Sequence, residues 1–185
     1  MKEIALYTLD IAQNSITAHA RHLEVTLAEE GETITLTIAD DGKGMSPELR
    51  ATGSDPFTTT RTTRKMGLGL PLLRMAAEQT GGSLRIESQL GVGTMVTAVF
   101  QASHIDCPPV GDMAGSITLL LQGAPELELC YTHKMGEEQI GLDTRQLRAE
   151  LGEAVSLAEP EVVLWVRDYL QEQETLLREH KGMKA

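Results

Sequence analysis

The tightest constraint in this sequence is a pair of alternating segments, Leu23 to Ala28 (LEVTLA) and Thr33 to Ala39 (TITLTIA), joined by a Glu-Glu-Gly turn. Strict alternation marks strands with one face buried, so the pair predicts a hairpin resting on an apolar neighbour. The preceding segment supplies one. Ile4, Leu6, Leu9, Ile11, Ile16 and Ala20 are spaced as the apolar face of a helix, with Asp10, Gln13 and Asn14 on another face. An Asp- and Gly-rich turn follows the hairpin, then a short helix opening at Ser46-Pro47, where proline suits the first turn. Residues 52–66 are Thr-rich, basic and aperiodic, which predicts a mobile loop. A helix over Gly67 to Thr80 is closed by Gly81-Gly82, and two more strands, Ser83–Ser88 and Met95–Gln101, flank the turn Leu90–Thr94.

Charge divides the chain. Residues 1–103 carry net -3 and residues 104–185 net -8, and HIDCPPVG (His104–Gly111) reads as a linker between them. Beyond it the pattern predicts a helix near Met113–Gln122, strands at Glu126–His133 and Gln139–Leu142, and helices at Thr144–Leu151 and Glu161–His180. The last helix places Val162, Leu164, Trp165, Val166, Tyr169, Leu170 and Leu176 mostly on one side, as a packed helix does. The expected organisation is therefore 1–103 as one domain, 104–111 as linker and 112–185 as a small acidic α+β domain.

Composition excludes several classes. A net charge of -11 with six aromatics argues against nucleic-acid binding by bulk charge or base stacking. No apolar run approaches a membrane span, and the start turns polar too soon for a signal peptide. Two cysteines make no disulfide framework, so the reading is a cytoplasmic protein without membrane contact.

Four features of the first part point to phosphate chemistry. Asp10 and Asn14 are four apart on a helix and share a face, a hard-oxygen pair suited to Mg²⁺; alone, they also fit a solvated polar face. Asp40-Asp41-Gly42-Lys43-Gly44-Met45 follows a strand, whose end can aim one carboxylate at an amino group such as that of adenine. The same residues also fit an ordinary Asp-Gly turn. Asp55-Pro56-Phe57-Thr58-Thr59-Thr60-Arg61, with Arg64 and Lys65, combines hydroxyls and cations as a triphosphate lid requires. Gly67-Leu68-Gly69-Leu70 opens a helix, whose free N–H groups favour an anion.

Order and spacing together resemble the ATP-binding domain of the GHKL superfamily, most closely the histidine-kinase catalytic domain. The likeness is carried by DPFTTTR…GLGLPLLRMAAEQTGGSLRIESQLGVGTMVTAVF and covers about residues 2–101. It implies an α+β fold, the two-layer α/β sandwich called the Bergerat fold, with a mixed sheet covered by helices and the small C-terminal part appended. It implies ATP (or ADP) and Mg²⁺ as ligands. By position, Asn14 matches the Mg²⁺-binding asparagine and Asp40 the adenine-reading carboxylate. Gly42, Gly44 and Met45 fall at the adenine pocket. Phe57, Thr59 and Arg61 lie in the lid motif, and Gly67, Leu68, Gly69 and Leu70 in the phosphate-side glycine box. Thr94 matches a hydroxyl near the adenine pocket.

Two departures bear on mechanism. Hydrolytic relatives place Glu where this chain has Asp10, and a carboxylate withdrawn by roughly 1.5 Å is a poor base, since misplacement of about 1 Å can cost on the order of 10²-fold. The Asn-bearing helix begins near residue 2, leaving no room for the hairpin that carries a phosphoacceptor histidine. His19 and His22 read as helix-end residues. The expected function is a Mg·ATP-binding regulator, with Asp10 as candidate base and Arg61, Arg64 and Lys65 balancing phosphate charge. It either hydrolyses ATP slowly or phosphorylates a partner protein held by the acidic second part. The alternative is a nucleotide-sensing module whose lid orders without turnover. A homodimer is the other use of that acidic part.

His104-x-x-Cys107 and Cys130-x-x-His133 suggest zinc, but residues three apart on a strand face opposite sides, which opposes it.

Overall fold

The computed structural model describes residues 3–53 and 68–184. Its elements run α1 (Ile4–Thr17), β1 (His22–Glu30), β2 (Thr33–Asp40), α2 (Pro47–Gly53), α3 (Gly69–Gln79), β3 (Ser83–Gln89) and β4 (Gly93–Gln101). They continue with α4 (Met113–Gly123), β5 (Glu128–Met135), β6 (Glu138–Asp143), α5 (Thr144–Leu151) and α6 (Pro160–Lys184). The strands form a six-stranded mixed sheet in the order β3-β4-β2-β1-β5-β6, antiparallel except where β5 lies parallel to β1. This is the α+β arrangement of the Bergerat fold.

The period-2 pattern decides which side is covered. Leu23, Val25 and Leu27 of β1, Ile34, Leu36 and Ile38 of β2, and Val96, Ala98 and Phe100 of β4 are buried under the helices. Their alternates place Thr26, Thr37, Thr97 and Thr132 in one row across four strands on the other face. In α1 the buried positions are Ile4, Ala5, Tyr7, Thr8, Ile11, Ala12 and Ser15, whereas Leu6, read from the sequence as part of the apolar face, is exposed. The helix packs on the sheet and against α3 and α4, so its polar Thr8 and Ser15 are buried with hydroxyls bonded.

The acidic second part does not stand apart. β5 extends the sheet from β1, and the buried cluster runs continuously from Ile4 through Leu170. Carbonyls of Pro109 and Val110, in the linker, accept from the first amides of α1, Ile4 N (2.9 Å) and Ala5 N (2.8 Å). α1 has no side-chain cap, so these bonds satisfy its orphan donors. Ser116 Oγ donates to Ala5 O at 2.9 Å and pins α4 across α1.

Three local expectations are corrected. His22 is not on the first helix: α1 stops at Thr17, His19 turns the chain with φ 61°, and His22 opens β1 paired to Glu128. α6 buries Val166, Leu170 and Leu177, while Leu164, Trp165 and Leu176 are exposed, because only the first three share the sheet-facing side. β5 is shifted two residues along the chain, Glu128–Met135 where Glu126–His133 was expected, and β6 runs one residue further at each end, Glu138–Asp143.

Candidate functional site

One cleft gathers several of the residues singled out in the sequence. It is lined by Asn14 and Ser15 of α1, Asp40 at the end of β2, Gly44 and Met45 after it, Leu70 of α3, and Thr94 of β4. Asp40 and Thr94 come from distant segments but are direct partners across β2 and β4. The alternation that buries Ile38 and Val96 therefore delivers both polar side chains to the same end of the sheet.

The carboxylate of Asp40 is fixed at both oxygens. Ser15 Oγ donates to Oδ2 at 2.5 Å and Gly42 N donates to Oδ1 at 2.9 Å. Each oxygen retains acceptor capacity for a further donor. Asp41 has a different job: its Oδ1 accepts from Arg21 N (2.7 Å) and His22 N (2.9 Å), tying the turn to β1. Burial opposes its ionisation, but these backbone bonds prevail and hold its carboxyl below the ordinary range.

The glycines of the turn are needed for close approach. Gly44 has φ 69°, and a Cβ there would meet Gln89 O at 2.0 Å. The turn is thereby pressed onto the β3–β4 connection, where Gly91 N donates to Lys43 O (2.9 Å) and Met45 N to Ser88 Oγ (2.8 Å). Ser88 in turn donates to Gly93 O (3.0 Å) or shares its proton with Thr94 Oγ1 (2.8 Å), which connects the turn to the cleft.

Asn14 is distinguished by what it lacks. Its Nδ2 is buried without a hydrogen-bond partner, the only such side-chain atom of the cleft lining among the described residues. A half-turn exchanges donor and acceptor ends of an amide, so this unpaired end can serve a phosphate oxygen or a cation. A buried polar group left unpaired is costly, and a ligand that engages it recovers that cost. The donor chemistry of Asn14, with Asp10 one turn earlier, fits Mg²⁺ carried on a phosphate.

Asp10 does not line the cleft. Its Oδ2 packs against Gly69, the first residue of α3, where a Cβ would lie 1.6 Å from that oxygen. Gly69 thus matters for space rather than φ. Leu68 precedes it as the N-cap, exposed and without a side-chain cap, leaving the first amides of α3 free of a capping side chain. Phe57, Thr59, Arg61, Arg64, Lys65 and Gly67 lie outside the described residues.

Sequence reasoning missed Ile11, Ser15, Thr17, Ala18, Lys43 and Val96 as cleft residues. A signal existed for two of them: Val96 shares the inward face two residues after Thr94, and Ile11 lies one turn before Asn14. The zinc pairing is replaced by another arrangement. Cys130 and His133 face opposite sides of β5, and His133 is enclosed between Glu29 and Glu174.

A family model described as histidine kinase-, DNA gyrase B- and HSP90-like ATPase matches residues 3–104. Among curated proteins, the sensor histidine kinase ZraS of Escherichia coli is 32% identical over 91 residues, 48% of this chain and 19% of its own length. The heme sensor protein HssS of Staphylococcus saprophyticus is 36% identical over 80 residues, 43% of this chain and 17% of its own. The histidine protein kinase DivJ of Caulobacter vibrioides is 29% identical over 146 residues, 74% of this chain. The chain spans at most 24% of the length of these three relatives. A solved N-terminal domain of a DNA repair protein shares the fold, with TM-score 0.51, 12% identity, and coverage of 77% of this chain and 53% of its own.

Proposed function

This chain belongs to the histidine kinase-, DNA gyrase B- and HSP90-like ATPase family, and we propose that it is a cytoplasmic regulator that binds Mg·ATP and either hydrolyses it slowly or passes the γ-phosphate to a partner protein. The carrying observation is the pairing of a doubly anchored Asp40 with the buried, unpaired amide of Asn14 in one cleft.

In this reading Asp40 accepts the exocyclic amino group of adenine, and Thr94 orders the polar end of the same pocket. Ile11, Leu70 and Val96 give the base an apolar wall. Asn14 would hold the metal, and Mg²⁺ there would supply positive charge beside the phosphate oxygens. Asp10 orients a water or an acceptor hydroxyl and takes its proton as the new bond to phosphorus forms and the bond to the β-phosphate oxygen breaks. Arg61, Arg64 and Lys65 balance the negative charge left behind. No described helix is long and apolar enough to cross a membrane.

A second reading, a nucleotide sensor without turnover, is favoured by Asp10. Its carboxylate is one methylene shorter than glutamate, packs against Gly69 and lies outside the cleft lining. Release or transfer of γ-phosphate from labelled Mg·ATP, compared between wild type and Asp10→Asn, decides between the two. Release that disappears in the variant supports catalysis by Asp10. Binding by both proteins, with no label moved even when a partner is present, supports the sensor. Retained ATP affinity in Asp40→Asn sinks both.

A further inference from the structure

α6 closes the helical layer. α3 packs on α1, α1 on α4 and α4 on α6, and α6 covers β5 and β6 at the end of the sheet. On the flank turned toward α4, Arg167 reaches Asp112, the N-cap of that helix, at 3.5 Å. Trp165, two positions earlier, lies about 200° round the helix, on the opposite flank. There Trp165 is 55% exposed and stacks on Tyr169 with ring centroids 5.4 Å apart; Leu176, seven residues further, is 41% exposed. Spacings of four and seven place all three along one side, Trp165 and Tyr169 as a stacked pair and Leu176 two turns further on.

Beside them runs a row of acids. Glu161, Asp168, Glu172 and Glu179 repeat at seven, four and seven residues, are all exposed, and form no ion pair among the described residues. An aromatic–aliphatic seam bordered by unpaired carboxylates is one half of a helix-on-helix contact, with the charge of the other half specified.

We propose that this flank of α6 docks an amphipathic helix of a partner protein, apolar toward Trp165, Tyr169 and Leu176 and basic beside the acidic row. A second copy of the chain fits poorly. Its Arg167, Arg178 and Lys181 lie on the other flank of α6, so the same flank of a second copy brings no cation to the carboxylates. The proposal rests on the regulatory reading only for the idea of a protein partner, and it concerns a surface remote from the cleft.

The test uses two synthetic helical peptides with the same leucine face, one carrying lysine and the other glutamate at the flanking positions. Trp165 is the only tryptophan in the chain, so its emission reports docking directly. The lysine peptide is expected to bind with a blue shift and to weaken as salt screens the pair. Asp168→Lys with Glu172→Lys should weaken it about tenfold or more, and calorimetry with Leu176→Glu should show binding abolished. Equal binding of both peptides, or lysine-peptide binding unchanged in these variants, overturns the proposal. So does a sedimenting dimer that Leu176→Glu dissolves, which would give this flank to a second copy. Measurements are made without nucleotide and repeated in Asp40→Asn, so a failed cleft assignment leaves the peptide result standing.

Discussion

Ser15 and Asp40, 25 positions apart, are joined by a 2.5 Å hydrogen bond that couples the Asn14-bearing helix to the end of β2. Ser15 is 3% exposed, so its hydroxyl has no water to compensate for a lost partner. The bond sets the direction of the carboxylate assigned to adenine. Ser15→Ala is therefore expected to weaken ATP binding several-fold, about 1 kcal/mol, with little change in melting temperature. Titration calorimetry checks it, and an unchanged dissociation constant would show that Gly42 alone orients Asp40.

Asn14→Ala removes the one buried unpaired amide of the cleft. Nucleotide binding without metal should survive, while the gain in affinity on adding Mg²⁺ disappears. An unaltered metal response places the cation on another residue.

Gly69 leaves room for the carboxylate of Asp10. In Gly69→Ala the new methyl would lie 1.6 Å from Oδ2, and the flexible Asp10 side chain must swing away. Stability should change by less than about 1 kcal/mol, since a side-chain end moves rather than backbone. If Asp10 is the base, phosphate release falls as far as in Asp10→Asn, and combining the two changes lowers it no further. Additive losses would mean that the two residues act separately.

His133 is fully buried, with Nδ1 2.8 Å from Glu174 Oε2 and Nε2 3.1 Å from Glu29 Oε1. Burial opposes its charge, but hydrogen bonds to the two carboxylates outweigh that and raise its pKa above the ordinary 6.5. Glu29 is lowered from the ordinary 4.5: burial again opposes, and His133 and Lys181 prevail. Protonated His133 thus stabilises the fold fully below 6.5 and loses that contribution as pH rises through its raised value. Glu29 contributes above 4.5 and loses its share as pH falls through its lowered value. Wild type should exceed His133→Gln most between these limits, by about 3 kcal/mol, as expected for a broken buried pair. Denaturant midpoints at about pH 5.5 and about pH 9 test this, with the margin shrinking at the higher pH; a constant margin would mean a neutral imidazole.

A chain ending at Gly111 loses the strand paired to β1 and the α4 face formed by Met113, Ile117, Leu120 and Leu121. It also leaves a long apolar strand edge open. Such a chain is expected to aggregate or melt without cooperativity in calorimetry. A sharp transition near that of the full chain would instead make residues 1–103 a separable domain.

The sequence by itself determined the local elements and the motif residues. Alternation in LEVTLA and TITLTIA specified β1 and β2, and the helix expected at Thr144–Leu151 is α5 with the same bounds. Asn14, Asp40 and the glycines after it stood out only through the order and spacing that resemble the GHKL superfamily, since period and turn chemistry alone also fitted a solvated face and an ordinary turn. The tertiary structure alone decided what meets across the chain. Register set Thr94 opposite Asp40, α1 brought Ser15 to the same carboxylate, and α3 closed on Asp10 through Gly69. It also turned a charge boundary at residues 104–111 into a strap whose carbonyls cap α1, and Cys130-x-x-His133 into one buried ion cluster with Cys130 on the far face. The physical reason is that periodicity fixes which face of an element is apolar. Which distant face covers it follows from packing the whole chain into one close-filled core, and no local spacing encodes that choice.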